Sequence, residues 1–197
     1  MRICFIGDSF VNGTGDDECL GWSGRLCSDA RRCGRDIALY NLGVRRDTSS
    51  DIAERWEREA RVRLQPQQKA GLVFSYGIND CVSAPEGSVR VPQAISIANT
   101  CQILSTARAW LPTLMIGPPP TCDPQLNERV ENLSLHIAAL CGSLSVPFLS
   151  PWSTLKASKI WQEELSNGDG AHPNAAGYRI LADLINNWSP WRSWIDG

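Results

Sequence analysis

Five short apolar runs, at residues 2–6, 37–41, 71–75, 113–116 and 147–149, recur along this chain with stretches of helical period between them. Their apolar residues are near-continuous rather than alternating with polar ones, which reads as strands buried on both faces. Buried parallel strands need long crossovers, and helices supply them, so the pattern predicts an α/β fold with a parallel sheet covered by helices on both sides. The predicted helices are 21–33, 50–64, 93–110, 127–144 and 174–188. In the second, Ile52, Trp56 and Ala60 repeat at four-residue spacing on one face, with Ser50 or Asp51 as the expected cap. The charged residues between them read as a solvated face.

At 197 residues and 43% hydrophobic content, the chain has the size of one domain, expected over 1–197. Nineteen basic against twenty-one acidic residues leave a net charge of -2, which offers no footprint for nucleic acid or an anionic membrane and points to a small-molecule partner. Gly, Pro or charge interrupts every apolar stretch before the roughly 18–20 residues that span a bilayer, and MRICFIGDSF lacks the pattern of a signal peptide. A soluble, cytoplasmic protein is expected. The eight cysteines form no C-x-x-C pair and have two histidines for company, which disfavours zinc; reduced thiols are the default, with a Cys27–Cys33 disulfide left open.

In an open parallel sheet ligands gather beyond the carboxyl ends of the strands. The first strand runs into Gly7-Asp8-Ser9, which places a serine at that rim, and serine becomes a nucleophile only when a base takes its proton. His136 lies inside a helical pattern, whereas His172 sits in the Gly-rich loop NGDGAHPNAAGY. Asp169, three residues upstream, is placed to bond one imidazole nitrogen and stabilise the imidazolium. An ester carbonyl under attack also needs donors for its oxyanion. Gly43 after the second strand, Asn79 after the third and the N–H of Ser9 itself are the candidates. Taken singly, Gly43 reads equally as a turn glycine and Asn79 as a turn or cap residue. Asp8 is expected to support the nucleophile loop by accepting backbone N–H groups.

Four blocks, GDSF with Ser9, NLG with Gly43, GIND with Asn79 and DGAHP with Asp169 and His172, occur in order across nearly the whole chain. Together they resemble the GDSL or SGNH hydrolases. The resemblance implies a three-layer α/β/α flavodoxin-like fold with a central five-stranded parallel sheet. It also implies esterase, lipase, thioesterase or carbohydrate-deacetylase activity without a cofactor or a metal. Two departures stand out: Phe10 replaces the leucine of the family name, and Arg46 follows the Gly43 block where small residues are common. Arg45 and Arg46 either shape substrate access or point to solvent.

The expected chemistry is acyl transfer to Ser9 from a small carboxylic ester, in an open groove lined by loops 81–92, 117–127 and 153–168. One rival is a flavodoxin-like binding module in which residues 9–15 cradle a phosphate through backbone N–H groups. Another is a catalytically silent carbohydrate- or partner-binding relative. The tail Trp188–Trp194, with three tryptophans in seven residues, either folds back on the core or forms a partner surface.

Overall fold

The computed structural model describes residues 1–196. Five strands, β1 (Arg2–Gly7), β2 (Ala38–Gly43), β3 (Ala70–Ser75), β4 (Thr113–Ile116) and β5 (Phe148–Leu149), form one parallel sheet in the order β2-β1-β3-β4-β5. The order reverses at β1, so the crevice between the carboxyl ends of β1 and β3 is the topological switch point where such sheets collect ligands.

The helices are α1 (Ser9–Asn12), α2 (Gly21–Arg32), α3 (Ser49–Arg61), α4 (Gln93–Trp110), α5 (Pro124–Ser143), α6 (Trp152–Ala157), α7 (Lys159–Asn167), α8 (Ala175–Asn186) and α9 (Ser189–Asp196). α2 packs with α8 and α3 packs with α4, which packs in turn with α5. Strand β1 is the centre: Ile3, Cys4, Phe5 and Ile6 are each 0% exposed. Phe5 meets Trp22 of α2 edge-on at 5.4 Å, and Trp56 of α3 meets Phe74 of β3 in the same geometry at 5.4 Å. Such T-shaped pairs add about 0.5–1.5 kcal/mol each beyond their buried area.

The Ile52, Trp56 and Ala60 stripe is buried as its spacing requires. The cap lies earlier than expected. Thr48 accepts the Asp51 N–H and Asp51 reaches back to the Thr48 N–H, a reciprocal capping box. Residues 153–168, expected as a loop, are largely helical in α6 and α7. Ser158 starts α7 by accepting the Trp161 N–H, and Leu155, Trp161 and Leu165 are buried. The tail forms α9 and folds back on the protein. Trp191 is buried beside Phe5, and Trp194 lies so close over Gly71 that a Cβ there would come within 2.6 Å of its ring. All eight cysteines are unpaired, Cys27 and Cys33 included. Among the described residues no helix is long and apolar enough to cross a membrane.

Candidate active site

Ser9 opens α1 directly after β1, and Asp8 caps that single turn by accepting the Phe10 N–H at 3.0 Å. As the first helical residue, Ser9 has an N–H with no acceptor inside the helix. Asn12, Gly13 and Thr14 return their N–H groups to the carbonyls of Asp8 and Ser9. The stretch expected by the rival reading to cradle phosphate thus spends those donors on its own turn.

The loop from α7 to α8 carries Asp169 and His172. Asp169 Oδ1 accepts the N–H groups of Ala171 at 2.9 Å and His172 at 2.8 Å, which wraps the loop around the carboxylate. Its Oδ2 lies 2.7 Å from His172 Nδ1, and His172 Nε2 lies 2.7 Å from Ser9 Oγ. An ionised Asp169 accepts only, so the proton sits on Nδ1, and Nε2 is left to accept from the serine hydroxyl. Burial raises the Asp169 pKa, but the His172 and Ala171 N–H groups and the imidazole outweigh it and bring the value down to about 2. The carboxylate therefore stays charged at neutral and mildly acidic pH.

Two structures brace the imidazole. The Phe10 ring lies 4.9 Å from it, tilted 37°, and stacks in turn on Trp161, whose indole N–H donates to Pro120 O at 3.1 Å. Phe10, where the family name has leucine, thus packs beneath the His172 ring. Behind His172, Glu164 accepts the N–H groups of Asn174 and Gly177, which fixes the start of α8 just past the histidine. Neither Trp161 nor Glu164 was singled out by sequence, because no local motif joins them to the DGAHP block.

The oxyanion candidates separate. The Gly43 N–H is already engaged, donating to Asn41 Oδ1 at 2.9 Å. What glycine provides at 43 is close approach: a Cβ there would stand 2.1 Å from the Asn12 backbone nitrogen of α1. Asn79 donates one amide hydrogen to Asp47 O at 3.0 Å. Between them, residues 44–47 form a turn closed by the Asp47 N–H on Val44 O, with Arg46 held at φ 71° in the left-handed region. A turn that needs positive φ at its third residue normally takes glycine there; an arginine costs about 1–2 kcal/mol of backbone strain.

Asp8, next to Ser9, is 2% exposed. Burial pushes its carboxyl up to about 7, the Phe10 N–H opposes this, and the charges of Asp80 and Asp47 add to the rise. His136 is exposed on α5, bonded to Asn132 O and Gln93, and has no place in this cluster. A groove of about 400 Å³ is lined by His172, Asp169, Gly15 and Glu164, and a separate cleft of about 600 Å³ opens between the 81–91 loop and α5, lined by Cys81, Val89, Val91, Gln93 and Leu133 among others. No cluster of metal-ligating side chains occurs among the described residues.

Known proteins share this fold. The Enterococcus faecalis lipase/acylhydrolase superposes with a TM-score of 0.78 at 21% identity, covering 99% of this chain and 95% of that one. The Geobacillus stearothermophilus acetylxylan esterase Axe2 gives a TM-score of 0.72 at 18% identity over 93% and 91% of the two chains. In sequence, the chain is 29% identical over 196 residues to a GDSL lipase of Mycobacterium tuberculosis, covering 93% of this chain and 79% of that protein. The sequence pattern of the GDSL-like Lipase/Acylhydrolase family matches residues 5–180. With that match across most of its length, this chain belongs to the GDSL-like lipase/acylhydrolase family, hydrolases of ester bonds.

Proposed function

We propose that this protein hydrolyses small carboxylic esters through an acyl-enzyme on Ser9. The observation that carries the reading is the unbroken relay from Ser9 Oγ to His172 Nε2 and from His172 Nδ1 to Asp169, both steps at 2.7 Å. His172 takes the hydroxyl proton as Ser9 adds to the carbonyl, and Asp169 holds the ring and balances the imidazolium. His172 then returns the proton to the leaving alcohol, and a water activated by the same imidazole releases the acid.

The developing oxyanion is received by the Ser9 N–H, the second hydrogen of the Asn79 amide and the Arg46 N–H. Arg46 takes the place first given to Gly43, whose own N–H is spent on Asn41. Support for Arg46 comes from its left-handed backbone and from the two grips on its turn, Arg90 on Arg46 O and Asn79 on Asp47 O. Strain of this kind persists where the surroundings over-determine it, commonly at functional sites.

The groove of about 400 Å³ at His172 and Asp169 is in the size range of small-ligand sites. The solved relatives include an acetylxylan esterase, so acetylated sugars belong in a substrate panel beside short acyl esters and thioesters. The deciding experiment is labelling with a fluorophosphonate, the modified residue being mapped by mass spectrometry. Label on Ser9, absent in Ser9→Ala together with hydrolysis of p-nitrophenyl acetate, is the expected result. Label elsewhere, or wild-type turnover by Ser9→Ala, overturns the proposal.

A further inference from the structure

Arg55 sits on α3, away from every block that carries the proposed chemistry, yet its guanidinium reaches two of them directly and a third through Asp47. Its Nη2 donates to Gly7 O and to Leu42 O, each at 3.0 Å. Its Nε donates to Asp47 Oδ2 at 2.6 Å, and Nη1 donates to Glu59 at 3.2 Å. The side chain is 14% exposed and its Asp47 partner 13%, so this is an inward-facing pair rather than a surface ion pair.

Each acceptor has a consequence one or two bonds further on. Gly7 O precedes Asp8 and Ser9 and ends the nucleophile strand. Leu42 O belongs to the peptide that begins Gly43, where β2 abuts the backbone of α1. Asp47 closes the Arg46 turn, and its own carbonyl holds the Asn79 amide. The nucleophile, the left-handed turn and the amide donor arrive from three different strand ends, and one planar fork bonds to all three segments or to the residue that holds them.

We infer that Arg55 is a positioning residue that sets the distance between Ser9 and the oxyanion donors. The inference rests on the serine-hydrolase reading given above. Its physical basis is that donors pre-aimed at a developing charge lose their advantage when displaced, and a shift of about 1 Å is worth roughly a hundredfold in rate. A lysine keeps the charge but cannot bond two carbonyls and a carboxylate in one plane.

The test is Arg55→Lys in the full chain, with active sites counted by fluorophosphonate titration. The expected result is a kcat per titrated site reduced about tenfold or more, a KM within about threefold of wild type, and slower labelling of Ser9 in parallel. The acid limb of the pH–rate profile stays where it is, because the His172–Asp169 pair is untouched. If Arg55→Lys does not fold, Asp47→Asn, which weakens the same contact from the other side, is expected to show the same split at smaller amplitude. Arg55→Lys with fewer titratable sites or a lower Tm but wild-type kcat per site is the signature of a merely structural ion pair and overturns the inference. So does wild-type turnover per site in Asp47→Asn. Failure of the wild-type protein to label at Ser9 sinks the serine reading itself, a result separate from wild-type labelling rates in Arg55→Lys.

Discussion

The Phe10 ring and the His172 imidazole lie 4.9 Å apart, so the residue after Ser9 also packs against the imidazole that Ser9 meets. Phe10 is 2% exposed and stacks on Trp161. Phe10→Ala should cost about 3–5 kcal/mol of stability through lost burial and the cavity left behind. It should also lower kcat in the molecules that remain folded, because the imidazole loses its support. Phe10→Leu should be much milder, within roughly 1–2 kcal/mol. Chemical denaturation and active-site-normalised turnover check both, and a Phe10→Ala protein of wild-type kcat would show that the ring supports only the core.

Gly15 packs against the other side of His172. It has φ 89°, and a Cβ there would lie 2.8 Å from Pro173 O and 3.1 Å from His172 Cβ. Gly15→Ala therefore meets both a left-handed backbone and the loop that holds His172. An unfavourable φ alone costs about 1–2 kcal/mol. Relief of the contact pushes His172 off Ser9, so the expected loss of kcat exceeds what the fall in Tm accounts for. Equal effects on folded fraction and rate would place the damage in stability alone.

Asn79, Gly43 and Arg46 should respond differently. Asn79→Ala removes a donor and should lower kcat about 10²–10³-fold, roughly 2.7–4 kcal/mol. Gly43→Ala forces β2 against Asn12 and should appear first as lost stability. Arg46→Gly keeps the backbone N–H and releases the left-handed strain, so stability is expected to be unchanged or to rise by up to about 1 kcal/mol with kcat retained. A hundredfold loss of kcat in Arg46→Gly would assign the role to the side chain instead.

Asp8 predicts a pH dependence of stability. Its folded pKa of about 7 lies well above the roughly 3.9 of an unfolded aspartate, so between those values the folded chain holds a proton that the unfolded chain releases. The stability it contributes is fully present below about pH 4 and is lost as pH rises through about 7. Burial of Asp80 acts in the same direction. Asp169 has the opposite sign: lowered to about 2, it contributes above about pH 4 and its contribution is lost as pH falls through 2. Across pH 4.5 to 8, Tm of wild type should therefore decline more steeply than that of Asp8→Asn, whose amide oxygen still accepts the Phe10 N–H. Parallel Tm curves for the two proteins would exclude Asp8 as the titrating group.

Local pattern determined much of this protein. Apolar runs located all five strands within a residue or two, because strands buried on both faces admit little polarity. The every-fourth stripe Ile52, Trp56 and Ala60 located the buried face of α3, because helical pitch leaves no other face available. Asp169 and His172 were legible as a pair since three residues of loop bring them together. Helices with weaker signals were not legible: α6, α7 and α9 owe their form to docked residues such as Leu155, Trp161 and Trp191, whose partners are remote in the chain. Tertiary structure alone decided that His172 Nε2 meets a serine 163 residues away. It also decided that the Gly43 N–H is spent on Asn41 and that Arg55 joins the ends of β1 and β2 to the Asp47 turn. Such facts depend on where separate segments stop in space, and chain spacing encodes only what lies within a turn or two of a residue.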